Sequence, residues 1–121
     1  DWRAMNSQKR YDEILSNLMK RQAEGYIPRI AAVHDICGYG KCSLGVAIPV
    51  LSAAGCDVCP VPTAVFSNHT AFPKWFAHDV TDDLSKYIDT WKEIGIDIDL
   101  VYSGFLGSEK QVDLICDLYD C

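Results

Sequence analysis

Residues 29–43 read RIAAVHDICGYGKCS, an apolar run that passes directly into a polar segment with two glycines. The run through His34 predicts a buried strand, and residues 36–41 predict a loop. Ser43 is placed to cap a helix that continues through Ala54 and ends at Gly55. A strand, a glycine loop and a helix in this order are typical of a parallel α/β sheet.

The alternation of strands and helices continues to the end of the chain. Residues 57–61 and 98–102 predict two more strands, with Pro60 at a strand end or a sheet edge. A long connection over residues 63–76 leads to a helix that begins at Thr81, and a last helix begins at Ser108. We therefore expect a three-layer, Rossmann-like fold, with a partial parallel sheet of three strands and flanking helices. Ligands of such sheets bind at the carboxyl ends of the strands, so one crevice should be lined by residues 34–41, 63–70 and 103–107.

The first 28 residues differ from the rest. Apolar side chains recur at helical spacing over residues 7–23, and Gly25 and Pro28 follow them. We expect residues 1–28 to form an N-terminal amphipathic helical extension that docks on protein, and residues 29–121 to form the N-terminal part of one larger domain.

Composition excludes several classes of function. With 121 residues, a net charge of −6 and a pI near 4.8, the chain is a poor candidate for binding nucleic acid phosphates. Its uncharged stretches are too short to span a membrane, and its N-terminus does not resemble a signal peptide. The six cysteines indicate free thiols in a cytoplasmic protein. Cys56 and Cys59 would point to opposite faces of one strand, so we expect no metal site.

Several polar segments at the expected crevice could carry chemistry. The loop with Gly38 and Gly40 matches neither standard phosphate-loop pattern, because Cys42 and Ser43 stand where those patterns need other residues. It could still approach a ligand closely, or it could be a tight turn without one. Asp35 is either a solvated or capping carboxylate or a ligand acceptor, whereas His34 is typical of a core or edge histidine with satisfied hydrogen bonds. The polar cluster 67–70 either makes turns or, with aromatic neighbours, orients a small planar ligand.

Three blocks together resemble a known family. Residues 34–44 (HDICGYGKCSL), 66–70 (FSNHT) and 102–108 (YSGFLGS) resemble, in order and spacing, the opening blocks of pyridoxal/pyridoxamine kinases in the ribokinase-like superfamily. The resemblance covers about residues 29–120. It implies a ribokinase-like fold and ATP- and Mg²⁺-dependent phosphorylation of the 5′-hydroxymethyl group of pyridoxal, pyridoxamine or pyridoxine. It also implies a homodimer for the full-length enzyme.

The resemblance assigns substrate-binding residues as well. Thr70 should hydrogen-bond the ring substituents, with Ala71 beside it, and Phe66 and Phe105 should contact the pyridine face. The loop around Gly40 and Cys42 should close over the vitamer. Asp35 stands in place of a serine that contacts the ring in many relatives. Our hypothesis is that its carboxylate pairs with a protonated pyridine nitrogen or the 3-hydroxyl group.

No catalytic residue is identified in this sequence. The family's catalytic aspartate belongs to a Gly-x-Gly-Asp motif, which does not occur here. Phosphoryl transfer depends on positioning and charge stabilisation, so we expect these 121 residues, interpreted as the N-terminal portion of a kinase, to be inactive alone. Two alternatives remain. One is a hydroxymethylpyrimidine kinase of the same superfamily, although such kinases usually carry a double glycine after the first strand. The other is a non-catalytic vitamer-binding fragment.

Overall fold

The computed structural model describes residues 7–104, 106 and 108–119. Four strands form one sheet in the order β3-β2-β1-β4, in which β1 is parallel to β2 and β4, and β3 is antiparallel to β2. The elements, in chain order, are α1 (Ser7–Ala23), β1 (Arg29–Tyr39), α2 (Leu44–Ala53), β2 (Asp57–Asn68), β3 (Ala77–Asp79), α3 (Thr81–Glu93), β4 (Leu100–Ser103) and α4 (Glu109–Tyr119).

Helices cover both faces of the sheet, which confirms the predicted three-layer α/β class. Successive residues of a strand point to opposite faces. Ala31 and Val33 of β1 therefore share one face, where they pack in the main core with α3 and α4. The core also contains Val61, Leu84, Ile88, Ile115 and Leu118. Helix α2 packs on β1 and β2 and buries Leu44 and Ala47.

Strands β1 and β2 are longer than predicted, and the loop expected over residues 36–41 is largely strand. After a register shift between His34 and Ile36, pairing resumes at Ile36 with Val65 and extends to Tyr39 with Asn68. A Cβ atom on Gly38 would lie 2.8 Å from the carbonyl oxygen of Ser67. Glycine at this position thus permits close strand pairing, whereas its usual meaning in a sequence is a turn.

The connection after β2 also contains a strand that was not predicted. Residues Ala77–Asp79 pair with Ala64–Phe66, so the sheet is mixed rather than wholly parallel. Strand β3 pairs only with residues 64–66 of β2, so the edge of β2 beside Pro60 has no strand partner on that side within the residues described. The Pro60 carbonyl there accepts a hydrogen bond from the Tyr87 hydroxyl at 2.6 Å. The expectation that Pro60 lies at a sheet edge is consistent with this arrangement.

Helix α1 has the predicted bounds and is fixed to the amino-terminal end of the sheet. The Asp99 carboxylate accepts hydrogen bonds from the Arg21 guanidinium at 3.0 Å, the Tyr26 hydroxyl at 2.7 Å and the Arg29 backbone N–H at 2.8 Å. Leu18 is buried, whereas Leu15 and Met19 are exposed. No helix in the described part of the chain combines the length and apolar character needed to cross a bilayer.

Candidate functional site

A cavity of about 530 Å³ opens at the carboxyl ends of β1 and β2. Its size is in the range of small-molecule sites. The first two of the three segments predicted to meet at a crevice line it. In the third segment, residues 103, 104 and 106 do not line the cavity. Phe105 and Gly107 of that segment lie outside the described residues. The lining residues are Asp35, Cys37, Cys42, Ser43, Thr63, Ala64, Phe66, His69, Thr70, Trp75, Ala77, Asp79 and Gln111.

The β1 side of the cavity contains a carboxylate and two thiols. The Ser43 hydroxyl donates to Asp35 Oδ1 at 2.8 Å, and Asp35 Oδ2 lies 3.7 Å from Cys37 Sγ. Ser43 is the N-cap residue of α2, as predicted, but its side chain makes no capping bond to the helix. The physical reason is that its hydroxyl is used to hold Asp35. A negative group is thereby fixed at the mouth of the sheet.

Cys37 and Cys42 lie side by side, with 3.0 Å between their sulfur atoms. Burial raises the pKa of Cys37 to about 12, and the neighbouring Cys42 and Asp35 contribute in the same direction. Cys37 is therefore a neutral thiol at physiological pH.

The β2 side is aromatic and polar. The rings of Phe66 and Trp75 lie 5.6 Å apart and are tilted by 53°. Beside them, the Ser67 hydroxyl accepts from the Phe76 backbone N–H at 2.8 Å and donates to Asn68 Oδ1 at 2.7 Å. The Asn68 amide in turn donates to the carbonyls at 69 and 74. These two side chains hold the turn, and the polar lining on this side comes from Thr63, His69 and Thr70.

A second carboxylate lines the cavity on β3. The Thr81 hydroxyl and backbone N–H both donate to Asp79 Oδ1, and these bonds hold the pKa of Asp79 below its ordinary value. The Gln111 side chain of α4 donates to the Thr81 hydroxyl at 2.7 Å. With Asp35 and Asp79 both in its lining, the cavity favours ligands that carry N–H or O–H donors or a positive charge.

The seven predicted substrate-binding residues are placed as follows. Asp35, Cys42, Phe66 and Thr70 line the cavity together. Gly40 and Ala71 are close to it without lining it, and both contact His69: the Ala71 N–H donates to His69 Nδ1 at 2.9 Å. A Cβ atom on Gly40 would lie 2.9 Å from that of His69. Phe105 is outside the described residues.

The four lining residues that follow residue 70 were missed for identifiable reasons. The hairpin of β2 and β3, which the sequence did not predict, contributes Trp75, Ala77 and Asp79. Gln111 reaches the cavity only because α4 packs beside α3, and no local motif signals this. His34, in contrast, is buried and does not line the cavity, as predicted for a core histidine, but its Nε2 atom has no hydrogen-bond partner among the described residues, so it is not the satisfied histidine that was expected.

Comparisons with known proteins place this geometry in a family. No family model matches the chain. It is 33% identical over 93 residues to the pyridoxal kinase PdxY of Leifsonia xyli, a match that covers 74% of this chain and 32% of the relative. A solved structure of a candidate phosphomethylpyrimidine kinase from Bacteroides thetaiotaomicron is 46% identical, with a TM-score of 0.75 over 78% of this chain and 33% of that one. A second crystal form of that protein contains pyridoxal.

Pyridoxal kinases of known structure share the same fold. The enzyme from Lactobacillus plantarum is 25% identical, with a TM-score of 0.75 over 78% of this chain and 34% of its own. The enzyme from Leishmania donovani, solved with ADP and pyridoxamine, is 17% identical with a TM-score of 0.69 and shows the shared fold alone. This chain spans about a third of the length of these relatives. By sequence and by fold, it belongs to the pyridoxal kinase family of the ribokinase-like superfamily.

Proposed function

We propose that this chain is the vitamer-binding part of a pyridoxal kinase, which transfers a phosphoryl group from ATP to the 5′-hydroxymethyl group of pyridoxal, pyridoxamine or pyridoxine. One observation carries the proposal: residues of two family-like blocks, 34–44 and 66–70, line a single cavity at the strand ends. The pyridoxal bound in a crystal of the 45% identical Bacteroides protein supports it.

The lining suits a flat heteroaromatic alcohol. Such a ligand needs apolar contact with its face and a few polar groups that fix its orientation. Phe66 and Trp75 offer the aromatic surface, and we assign Phe105 to the same face by family resemblance. The Thr70 hydroxyl is the proposed partner of the ring substituents, with the Ala71 backbone beside it. Gly40 and Cys42 belong to the loop that we expect to cover the vitamer.

Asp35 is the proposed selector for the pyridine ring. Its Oδ1 atom accepts a hydrogen bond from Ser43, which fixes the carboxylate and leaves Oδ2 beside the Cys37 thiol. A protonated pyridine nitrogen or the 3-hydroxyl group could donate to this carboxylate. A bond of this kind is charge-assisted, and it is therefore stronger than a bond to a neutral acceptor such as serine.

Catalysis would need groups that these residues do not provide. ATP is the proposed donor, in line with the ADP in the Leishmania enzyme. The described residues do not fit Mg²⁺: the cluster of donors within reach of one another is Asp35, Cys37 and Cys42, and thiols are poor ligands for a cation that prefers oxygen.

We further propose that the ATP, Mg²⁺ and base sites belong to the part of the family fold that this chain does not span. The chain alone would then bind a vitamer without phosphorylating it. Residues 1–28 would be an extension that precedes the N-terminal part of the kinase domain, and residues 29–121 would form that part. The whole enzyme would be a cytoplasmic homodimer.

The test is the affinity of this chain for pyridoxal, measured by titration calorimetry. Asp35→Asn keeps the shape of the side chain but removes its charge, and we expect pyridoxal to bind about tenfold more weakly or worse. Asp89→Asn, an exposed position on α3, is the matched control and should bind normally. Unchanged affinity in Asp35→Asn would refute the pairing of Asp35 with the ring.

A hydroxymethylpyrimidine kinase is the second candidate, favoured by the name of the 46% identical Bacteroides protein. The same titration with hydroxymethylpyrimidine separates the two. We expect pyridoxal or pyridoxamine to bind more tightly than the pyrimidine. Tighter binding of the pyrimidine would overturn the vitamer assignment and leave the cavity as the substrate site of the alternative kinase.

A further inference from the structure

Cys37, in β1, and Cys42, in the segment between β1 and α2, occupy facing positions. Ile36 and Ser43 form an isolated antiparallel bridge, so the next pair inward, Cys37 and Cys42, stands directly opposite. Residues that face each other in antiparallel pairs have Cα atoms about 4.5–5.5 Å apart. This separation lies within the range that a disulfide bond spans.

The side chains are oriented to match. The two sulfur atoms are 3.0 Å apart, about 1 Å more than a covalent S–S bond. Both residues are partly buried and line the cavity, so a small molecule that enters the cavity can reach them. The segment between them contains Gly38 and Gly40, which lowers the steric cost of a small adjustment.

The same sulfur distance argues against a metal ion at this cluster. Asp35, Cys37 and Cys42 place their donor atoms within 4.8 Å of one another. Two thiolates on a tetrahedral zinc ion, however, are about 3.8 Å apart, because each Zn–S bond is about 2.3 Å long. The observed 3.0 Å is shorter than this and approaches a sulfur–sulfur bond.

We propose that Cys37 and Cys42 form a reversible disulfide bond at the mouth of the cavity, by exchange with a low-molecular-weight disulfide such as glutathione disulfide. The inference stands on the cysteine geometry alone, so it does not depend on which ligand the cavity binds.

The exchange takes place in two balanced steps. The Cys42 thiolate attacks one sulfur of glutathione disulfide, which forms a mixed disulfide and releases one glutathione thiolate. Cys37 then gives its proton to the glutathione thiolate released in the first step and attacks the Cys42 sulfur, which displaces the second glutathione. Two electrons pass from the protein thiols to glutathione disulfide. The raised pKa of Cys37 makes it the poorer first nucleophile, and the intramolecular second step offsets its small thiolate fraction.

The test uses the reduced chain in a series of buffers with increasing ratios of glutathione disulfide to glutathione. After acid quenching and alkylation of free thiols, peptide mass spectrometry should show a Cys37–Cys42 cross-link that accumulates with this ratio and is reversed by a reductant. Cys37→Ser should instead retain glutathione on Cys42. A control with both Cys56→Ser and Cys59→Ser should form the cross-link as the unmodified chain does.

Two results would overturn the proposal. One is full alkylation of Cys37 and Cys42 at every buffer ratio. The other is that Zn²⁺ protects both thiols of the reduced chain from alkylation while glutathione disulfide fails to link them, since the pair would then be a metal site. Pyridoxal titration of the reduced chain, run in parallel, reports on the proposed function independently of either result.

Discussion

Strand β1 consists of two halves that differ in what stabilises them. Residues 30–34 are buried, and Val33 has no exposed surface, whereas in residues 35–39 Ile36 is 37% exposed. Both halves pair with β2, so the hydrogen-bonded ladder continues through the strand. The first half is stabilised by packing against helices. The second is held by its strand partner and by polar side chains.

This contrast separates stability from binding along one strand. Side chains of the first half are surrounded by the core and are not available to a ligand. Those of the second half, Asp35 and Cys37 among them, line the cavity. Functional segments often have few buried apolar contacts for this reason. Substitutions in the two halves should therefore have effects of different kinds.

The largest difference is expected between Val33→Ala and Ile36→Ala. Both replace a β-branched residue of β1 with alanine, so their losses of strand propensity are similar. Val33→Ala also leaves a cavity in the core, and it should lower the free energy of unfolding by about 2 kcal/mol. Ile36→Ala should cost less than about 1 kcal/mol. Urea denaturation measures both, and equal losses would contradict the division of β1 into two halves.

A smaller effect is expected at the loop that follows the second half. Gly40 has φ +86°, and an added Cβ would lie 2.9 Å from His69 Cβ. Gly40→Ala should therefore destabilise the protein by about 1 kcal/mol. Gly45→Ala is the control, because a Cβ there meets nothing within 4 Å and the residue is in α2.

Gly45→Ala should stabilise the protein by roughly 0.5–1 kcal/mol, since alanine favours a helix over glycine. The two glycine variants thus have opposite expected signs in the same denaturation experiment. A Gly40→Ala protein as stable as the original would mean that the loop does not need its left-handed residue.

The sequence was informative where one physical effect dominates. The apolar run 30–33 predicted the buried half of β1, and helical spacing predicted α1 and α3 with their observed starts at Ser7 and Thr81. The order of elements also placed residues 34–41 and 63–70 at one edge of the sheet. Two of the crevice segments could be predicted because parallel strands end on the same side.

The rest depended on pairing between distant segments. Gly38 suggested a turn, but its missing side chain lets β1 approach Ser67. Ser43 had the residue type of a helix cap, but Asp35, eight positions away, takes its hydroxyl. Strand β3 has only three residues and no apolar alternation, and it forms because β2 offers an open edge. In each case a tertiary contact overrode a local preference.

His34 lies where the two halves of β1 meet, and the smallest expected effect concerns its protonation. It is 8% exposed, its ring lies 4.7 Å from that of Tyr102, and its Nε2 atom has no hydrogen-bond partner among the described residues. Burial lowers the pKa of His34, and the nearby Asp35 carboxylate opposes this only in part. The unfolded chain, in which histidine has a pKa of about 6.5, therefore binds a proton more readily than the folded one.

The stability that comes from the neutral His34 should thus be fully present above about pH 6.5 and decline as the pH falls below it. The free energy of unfolding, measured with urea at several pH values between about 7.5 and 5, should decrease more steeply for the original protein than for His34→Phe, which cannot titrate there. Thr81→Val, which removes a hydrogen bond to Asp79, is a useful comparison. Any change in the pH dependence of stability that comes from Asp79 should occur at lower pH, where carboxylates titrate. Parallel curves for the original protein and His34→Phe would mean that His34 takes up its proton as easily in the folded chain as in the unfolded one, and that the boundary between the halves of β1 is open to water.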